Sequence, residues 1–316
     1  MDIIKTITNF FRILEAEIHH EKMAFVYSQA YNLQLEGHVF PAVKFEQIYE
    51  LALMDDEFRK AEYFEPEIAS EEDLQLVHSI DYLDDFLNLR WTNSTKYSEL
   101  PLNPQIVDAF RTAVGGTIKA MELTEHFPYV YNIGGGFHHS FPERAEGFCY
   151  LNDVAIAAKK YRKLHPDKKV LLIDLDVHQG NGNSLIFQDE PEVMTFSMHQ
   201  ENLYPLKQNS DLDVGLEDYC SGEKYLQLLR NHLTEIESGF KPDLIFYLAG
   251  ADPFEEDRLG NLRLSLEDLA ERDRIVKNYA VKNDARVVIV TAGGYARNTI
   301  DTVRIHLQTA RVFHRK

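Results

Sequence analysis

Short apolar runs alternate with longer segments of helical periodicity along most of the chain. The clearest buried strand is predicted at 170–173, Val-Leu-Leu-Ile, between a polar turn and a glycine-containing segment. Further strands are predicted at 23–28, 129–133, 193–199, 243–249 and 286–291. Helices are predicted at 44–54, 71–78, 81–88, 103–125, 148–164, 218–237, 265–283 and 299–312. This alternation predicts an α/β fold with one mostly parallel, multi-stranded sheet flanked by helices on both faces.

The first 22 residues are predicted to form an N-terminal helical extension, because apolar positions recur at helical spacing over 3–18. We expect this helix to pack on the body of the protein or on another subunit. A membrane-surface role is a weaker alternative, because the charges of the segment are mixed. Without an evident repeat or linker, 23–316 is predicted to be a single catalytic domain.

Composition and charge narrow the range of functions. An apolar fraction of 44% is ordinary for a globular core, and no apolar run approaches the roughly 18 residues of a membrane span. The start of the chain lacks a basic leader, and two cysteines give no disulfide framework, so a cytoplasmic protein is expected. A formal net charge of −18 argues against nucleic acid as a partner and is compatible with cationic substrates. The oligomeric state stays open.

Chemically capable residues follow the clearest strand. Asp174, Asp176 and His178 alternate along it and therefore point the same way, at the strand end where parallel sheets bind ligands. Carboxylate and imidazole ligation suits zinc, with iron or manganese as alternatives. A lone Asp-x-His is more often a pair of ordinary polar residues at a strand end, so this interpretation depends on the rest of the chain.

Three other predicted strands also end in such residues. His138 and His139 follow a run of three glycines, Asp252 follows the strand at 243–249, and Tyr295 follows the last strand. Each has an ordinary explanation alone: loop histidines, a turn former and a packed aromatic ring. Together, at the carboxyl ends of parallel strands, they predict one active site.

Five motifs carry a resemblance to a known family. They are Gly-Gly-Phe-His-His at 135–139, Gly-Phe-Cys-Tyr-Leu-Asn-Asp at 147–153, Asp-Leu-Asp-Val-His-Gln-Gly-Asn-Gly at 174–182, Gly-Ala-Asp at 250–252 and Gly-Gly-Tyr at 293–295. In this order and spacing, over about 23–312, the chain resembles the zinc-dependent histone deacetylase family. The segments 256–260, 264–265 and 272–273 are most similar to its class IV branch and bacterial relatives. The resemblance implies the single-domain arginase/deacetylase-like fold.

The resemblance also implies a metal centre and a reaction. Asp176, His178 and Asp252 would ligate one Zn²⁺, or Fe²⁺ as an alternative, and leave an open coordination position. Such a metal polarises the substrate carbonyl and lowers the pKa of its bound water towards about 7. The implied activity is hydrolysis of the amide bond of an N-acyl-lysine in a protein or peptide.

Catalytic roles follow from the same resemblance. His139 would be the general base, and His138 its electrostatic partner, oriented by Asp174. Tyr295 would donate a hydrogen bond to the oxyanion. Asn181 stands behind the base where class I enzymes place an aspartate, and this neutral partner would stabilise the imidazolium less.

Two further sites are implied by the family alone. A structural monovalent cation, usually K⁺, would be held by Asp174, the carbonyls of Asp176 and His178, Ser197 and the carbonyl of Met198. The acyl-lysine tunnel would be lined by Gly147, Phe148, Tyr204 and Leu259. Relatives specific for polyamines carry an acidic residue where Leu259 stands, which makes a polyamine substrate less expected here.

Competing functions remain open to different degrees. An arginase-type enzyme needs further carboxylates for two manganese ions, and Phe254 stands two residues beyond Asp252 where an acid would be needed. A catalytically silent acyl-lysine binding module would be expected to lack a ligand, the base or Tyr295. A small acylated amine as substrate, and acetyl against fatty acyl chains, are alternatives that the residues do not decide.

Overall fold

The computed structural model describes residues 23–33, 35 and 37–315. The helix predicted at 3–18 and the extension 1–22 lie outside these residues. Within the described part of the chain, no helix is long and apolar enough to cross a membrane.

One sheet of parallel strands forms the centre of the fold. The strands are β1 Met23–Val26, β2 Glu62–Phe64, β3 Tyr129–Asn132, β4 Val170–Asp174, β5 Val193–Gln200, β6 Leu212–Leu216, β7 Leu244–Leu248 and β8 Arg286–Val290. Their order is β2-β1-β3-β8-β7-β4-β5-β6, and every neighbouring pair is parallel. All the predicted strands are confirmed, and β4 is buried over its whole length.

Helices cover both faces of this sheet, as predicted. They are α1 Val43–Met54, α2 Glu71–Leu74, α3 Ile80–Leu87, α4 Pro104–Leu123, α5 Asp153–Leu164, α6 Asn181–Phe187, α7 Gly222–Gly239, α8 Leu266–Asn283 and α9 Thr299–His314. One group of helices, each packed against the next, consists of α1, α9, α8 and α7. A second consists of α2, α4, α5 and α6. Ser265 and Asp268 form the predicted capping box at the start of α8.

Helix α5 begins five residues later than predicted. Gly147 and Phe148 both have positive φ values, 51° and 62°, so this stretch turns instead of winding into a helix. Glu146 and Cys149 close the turn as an isolated antiparallel bridge. The helix starts only after Asn152, whose side chain accepts a hydrogen bond from the backbone N–H of Ala155 at 2.9 Å.

Two neighbouring glycines in α4 mark close packing, as predicted. A Cβ atom at Gly115 would overlap the backbone oxygen of Glu67, and one at Gly116 would overlap the hydroxyl of Tyr31. The helix therefore approaches its neighbours more closely than any side chain at these positions would allow.

Candidate active site

The sheet order brings the predicted site residues together. Strands β3, β8, β7 and β4 are consecutive in the sheet, so the loops after their carboxyl ends meet at one edge. A pocket at this edge is lined by His138, His139, Asp176, His178 and Tyr295, among others. Asp252 is fully buried and is not among the described residues that line this pocket.

Three buried side chains form a candidate metal centre. Ligand atoms of Asp176, His178 and Asp252 all lie within 4.8 Å of one another. Asp252 Oδ1 accepts a hydrogen bond from the backbone N–H of Val177 at 2.9 Å. Its Oδ2 is buried, has no hydrogen-bond partner among the described residues, and lies 3.6 Å from His178 Nδ1. Because an unpartnered buried carboxylate oxygen is costly, this arrangement fits a bound cation, and the donor set suits zinc.

The electrostatics of this cluster also favour a cation. Burial and the neighbouring carboxylate of Asp176 raise the pKa of Asp252 to about 7. Burial lowers the pKa of His178, but Asp176 and Asp252 raise it more, to about 10. The two carboxylates therefore lie in a region where positive charge is strongly stabilised. A divalent ion bound there would displace these protons.

The two adjacent histidines have different partners and different charge states. His138 Nδ1 donates to Asp174 Oδ2 at 2.8 Å. Burial lowers the pKa of His138, but Asp174 and Asp176 raise it more, to about 9. Burial and the nearby His138 and His178 hold the pKa of His139 well below its ordinary value. At neutral pH the pair therefore combines one positive imidazolium with one neutral imidazole that can accept a proton.

The neutral imidazole is bonded on both nitrogens. His139 Nδ1 lies 2.8 Å from Asn181 Oδ1. Its Nε2 lies 3.1 Å from Nε2 of His138. Asn181 is the first residue of α6, a short helix that the glycines and asparagines of its sequence did not predict. That helix sets the position of Asn181 behind His139.

Tyr295 is held in the pocket through its backbone. Its N–H donates to Asp257 Oδ2 at 2.7 Å, and its carbonyl oxygen accepts from Arg258 Nε at 3.0 Å. Burial and the carboxylate of Asp176 raise its pKa, so the hydroxyl stays protonated and can donate a hydrogen bond. The ring of Phe148 lies 6.1 Å from its ring.

The residues predicted to line the acyl-lysine tunnel differ in their position relative to the pocket. Gly147 and Phe148 line the pocket. The Tyr204 ring lies 5.5 Å from the ring of His139 and is 45% exposed, so it stands at the mouth. Leu259 is half-buried against the core and is not among the described residues that line the pocket.

The residues predicted for a structural cation lie on two adjacent strands. Asp174 of β4 and Ser197 of β5 are partners in register. Asp174 Oδ1 accepts from the backbone N–H of Asp176 at 3.2 Å. Ser197 Oγ lies 2.9 Å from His199 Nδ1. Met198, the residue between these two in the sequence, is buried.

Several supporting residues were missed by the sequence interpretation. Asp153 accepts hydrogen bonds from the backbone N–H groups of Gly136 and Phe137 and so holds the glycine-rich loop. Its signal was an acid at the first position of a helix, directly after a capping asparagine. Lys44 is fully buried and donates from Nζ to the carbonyl of Ala292 at 2.8 Å. Burial lowers its pKa to about 8, and no local pattern could have placed it there.

Comparison with known proteins assigns the chain to a family. The histone deacetylase domain matches residues 38–310. The chain belongs to the histone deacetylase family. It is 30% identical over 307 residues to Histone deacetylase 2 of Arabidopsis thaliana, covering 91% of this chain and 79% of that protein. It is 40% identical over 273 residues to an uncharacterized protein of Picosynechococcus sp., covering 86% of this chain and 91% of the relative.

A solved structure supports the fold. The crystal structure of a histone deacetylase homologue complexed with SAHA superposes with a TM-score of 0.79 at 23% identity, covering 93% of this chain and 85% of that one. The predicted fold is therefore confirmed. The chain is an enzyme of the deacetylase class, in a family of zinc-dependent amide hydrolases. The class IV branch stays a prediction.

Proposed function

We propose that this deacetylase hydrolyses the amide bond of N-acyl-lysine in a protein or peptide, using one Zn²⁺ held by Asp176, His178 and Asp252. The observation that carries the proposal is the buried triad with the unpartnered Asp252 Oδ2, next to a pocket lined by His139 and Tyr295. Bound there, zinc would polarise the acyl carbonyl and lower the pKa of water.

The side chains divide the proton and charge steps between them. His139 is neutral at neutral pH, so its Nε2 takes a proton from the attacking water and later passes it to the leaving amine. His138, held as an imidazolium by Asp174, stabilises negative charge that develops nearby. Tyr295 donates its hydroxyl proton in a hydrogen bond to the acyl oxygen.

The shape of the pocket supports a short acyl group on a lysine stem. Phe40 and Phe148 give the pocket apolar walls for the four-carbon stem. Phe45 and Phe137 line the active-site pocket and also a neighbouring apolar pocket. Because these two rings are walls of both pockets, we favour acetyl over fatty acyl substrates. The acidic charge of the chain favours cationic peptides as partners.

We extend the proposal to the untested parts of the family pattern. A K⁺ ion would be held by Asp174, Ser197 and the carbonyls of Asp176, His178 and Met198, consistent with the register of β4 and β5. Residues 23–316 would form the catalytic domain, with 1–22 as an extension. Two free, buried cysteines are consistent with a reducing, cytoplasmic setting.

The test compares substrates on purified, zinc-loaded protein. Matched acetyl-lysine and myristoyl-lysine peptides and an acetylated small amine are hydrolysed in parallel, with His139→Ala as the control. We expect the acetyl-lysine peptide to be the best substrate and the control to be slower by about 10³-fold. Preference for the small amine would replace the proposed substrate class. Zinc-loaded protein without activity on any of them would contradict the proposal and favour a silent binding module.

A further inference from the structure

A carboxylate lies directly behind the neutral partner of the proposed base. Asn181 Nδ2 donates to Glu146 Oε1 at 2.8 Å, while Asn181 Oδ1 faces His139 Nδ1 at the same distance. The three side chains therefore form a continuous hydrogen-bonded series from the pocket to the turn before α5. The sequence interpretation gave Glu146 no role.

The chemistry of this series fixes the direction of the asparagine amide. An ionised carboxylate can only accept hydrogen bonds, so Glu146 must face the NH₂ group of Asn181. The carbonyl oxygen of Asn181 then faces His139 and can only accept. His139 must therefore carry its proton on Nδ1, which leaves Nε2, the nitrogen that faces Nε2 of His138 at 3.1 Å, as its unprotonated nitrogen. A flipped amide would place two acceptors against each other at Glu146.

Glu146 is itself held in place. Its Oε2 accepts from Arg144 Nη2 at 3.1 Å, and its side chain is only 17% exposed. The Arg144 guanidinium stacks 3.7 Å from the centre of the Phe141 ring. The Glu146 backbone pairs with Cys149 in both directions, at 3.1 and 2.9 Å. The carboxylate is therefore a fixed acceptor and not a mobile surface group.

We propose that Glu146 is a positioning residue that sets the tautomer of His139 through Asn181 and supplies, one residue further out, the negative charge that Asn181 lacks. The inference rests on the proposed function, in which His139 is the base. It explains how a neutral residue can stand in this position: the asparagine transmits the orientation, and the glutamate supplies the charge.

A charge-transposition cycle tests the partnership. We compare the zinc-loaded wild type with Glu146→Gln, Asn181→Asp and the double variant on an acetyl-lysine peptide. The glutamine of Glu146→Gln can donate as well as accept and no longer fixes the amide, so kcat should fall by about tenfold with KM within about twofold. The aspartate of Asn181→Asp would face Glu146 as a second carboxylate, and kcat should fall similarly. In the double variant, the new glutamine donates to the new aspartate, which in turn accepts from His139, so kcat should recover to within about threefold of wild type.

A control variant separates this role from a structural one. Glu143→Gln changes an exposed acid on the preceding turn, between Phe141 and Arg144, and should leave kcat and KM unchanged. Losses in the two single variants that simply multiply in the double variant would overturn the partnership. An unchanged kcat in Glu146→Gln would overturn it as well.

A readout independent of turnover distinguishes failure of this inference from failure of the proposed function. The ¹⁵N chemical shifts of the His139 imidazole in zinc-loaded protein report which nitrogen carries the proton. We expect the Nδ1–H tautomer in the wild type and in the double variant, and a mixture of tautomers in Glu146→Gln. An Nε2–H tautomer in the wild type would overturn the inference, whatever substrate the enzyme hydrolyses.

Discussion

The backbone of Tyr295 makes the hydrogen bonds that hold the residue in its loop. Asp257 and Arg258 bind its N–H and carbonyl, so removing the hydroxyl should leave the loop intact. We expect Tyr295→Phe to lower kcat by about 10²–10³-fold with little change in KM, as loss of one oxyanion donor does elsewhere. Steady-state kinetics measure this, with the unfolding temperature as the control. Full activity in this variant would remove Tyr295 from the mechanism.

His78 should make the stability of the fold depend on pH, although it is not one of the proposed catalytic residues. It is buried, its Nδ1 donates to the carbonyl of Phe141 at 3.0 Å, and its Nε2 accepts from the N–H of Asn152 at 3.0 Å. Burial lowers its pKa from 6.5 to about 4. A second proton on the ring would sit on Nε2, where it would replace the acceptor and face the N–H of Asn152, a second donor.

The sign of the resulting pH dependence follows from this lowered pKa. Between pH 6.5 and about 4, His78 binds a proton in the unfolded chain but not in the folded protein. The contribution of His78 to the free energy of unfolding is therefore fully present above pH 6.5 and is lost as the pH falls towards about 4. The shift corresponds to about 3 kcal/mol. We expect the free energy of unfolding of His78→Gln, measured with denaturant, to decrease less than that of the wild type over this pH range. Parallel curves for the two proteins would contradict the assignment.

Gly115 and Gly239 are helical glycines with opposite surroundings. A Cβ there would meet the backbone of Glu67, whereas one at Gly239, the last residue of α7, would meet open space. We expect Gly115→Ala to lower the free energy of unfolding by about 2 kcal/mol or more, despite the better helix propensity of alanine. Gly239→Ala should be neutral or stabilising by up to about 1 kcal/mol. Equal changes in the free energy of unfolding for the two variants would show that helix propensity, and not packing, determines the effect of these substitutions.

Burial determined which elements could be predicted from sequence. The central strands, such as β4 and β7, are buried on both faces and therefore appear as continuous apolar runs. The edge strands β2 and β6 were missed. Strand β2 has only three residues, and β6 alternates buried and exposed positions, so neither carries a continuous apolar run. The start of α5 was misplaced because Phe148 takes a left-handed conformation that its residue type does not indicate.

At the scale of the molecule, the rule that ligands bind at the carboxyl ends of parallel strands was sufficient to gather the main site residues. His138, Asp176, Asp252 and Tyr295 are far apart in sequence but follow strands that are adjacent in the sheet. Supporting contacts such as that of Lys44 with Ala292 join residues 248 positions apart. No local pattern encodes such a pair, because it exists only after the sheet and helix α1 have assembled.

Metal binding should stabilise the whole molecule. Without a cation, burial and the neighbouring carboxylate of Asp176 disfavour the charged form of Asp252 and raise its pKa. We expect chelation to lower the unfolding temperature of the wild type and added zinc to restore it. Asp252→Asn should unfold at a temperature that responds little to either treatment. A zinc response in the variant equal to that of the wild type would place the binding elsewhere.

The most direct test of a single-metal deacetylase is the rate of acetyl-lysine peptide hydrolysis as zinc is titrated into metal-free protein. The candidate centre consists of Asp176, His178 and Asp252, enough for one tetrahedral ion with an open position. We expect activity to rise from near zero and to level off at one equivalent. Activity that levels off only at two equivalents, or that is already complete without metal, would contradict this account of the site.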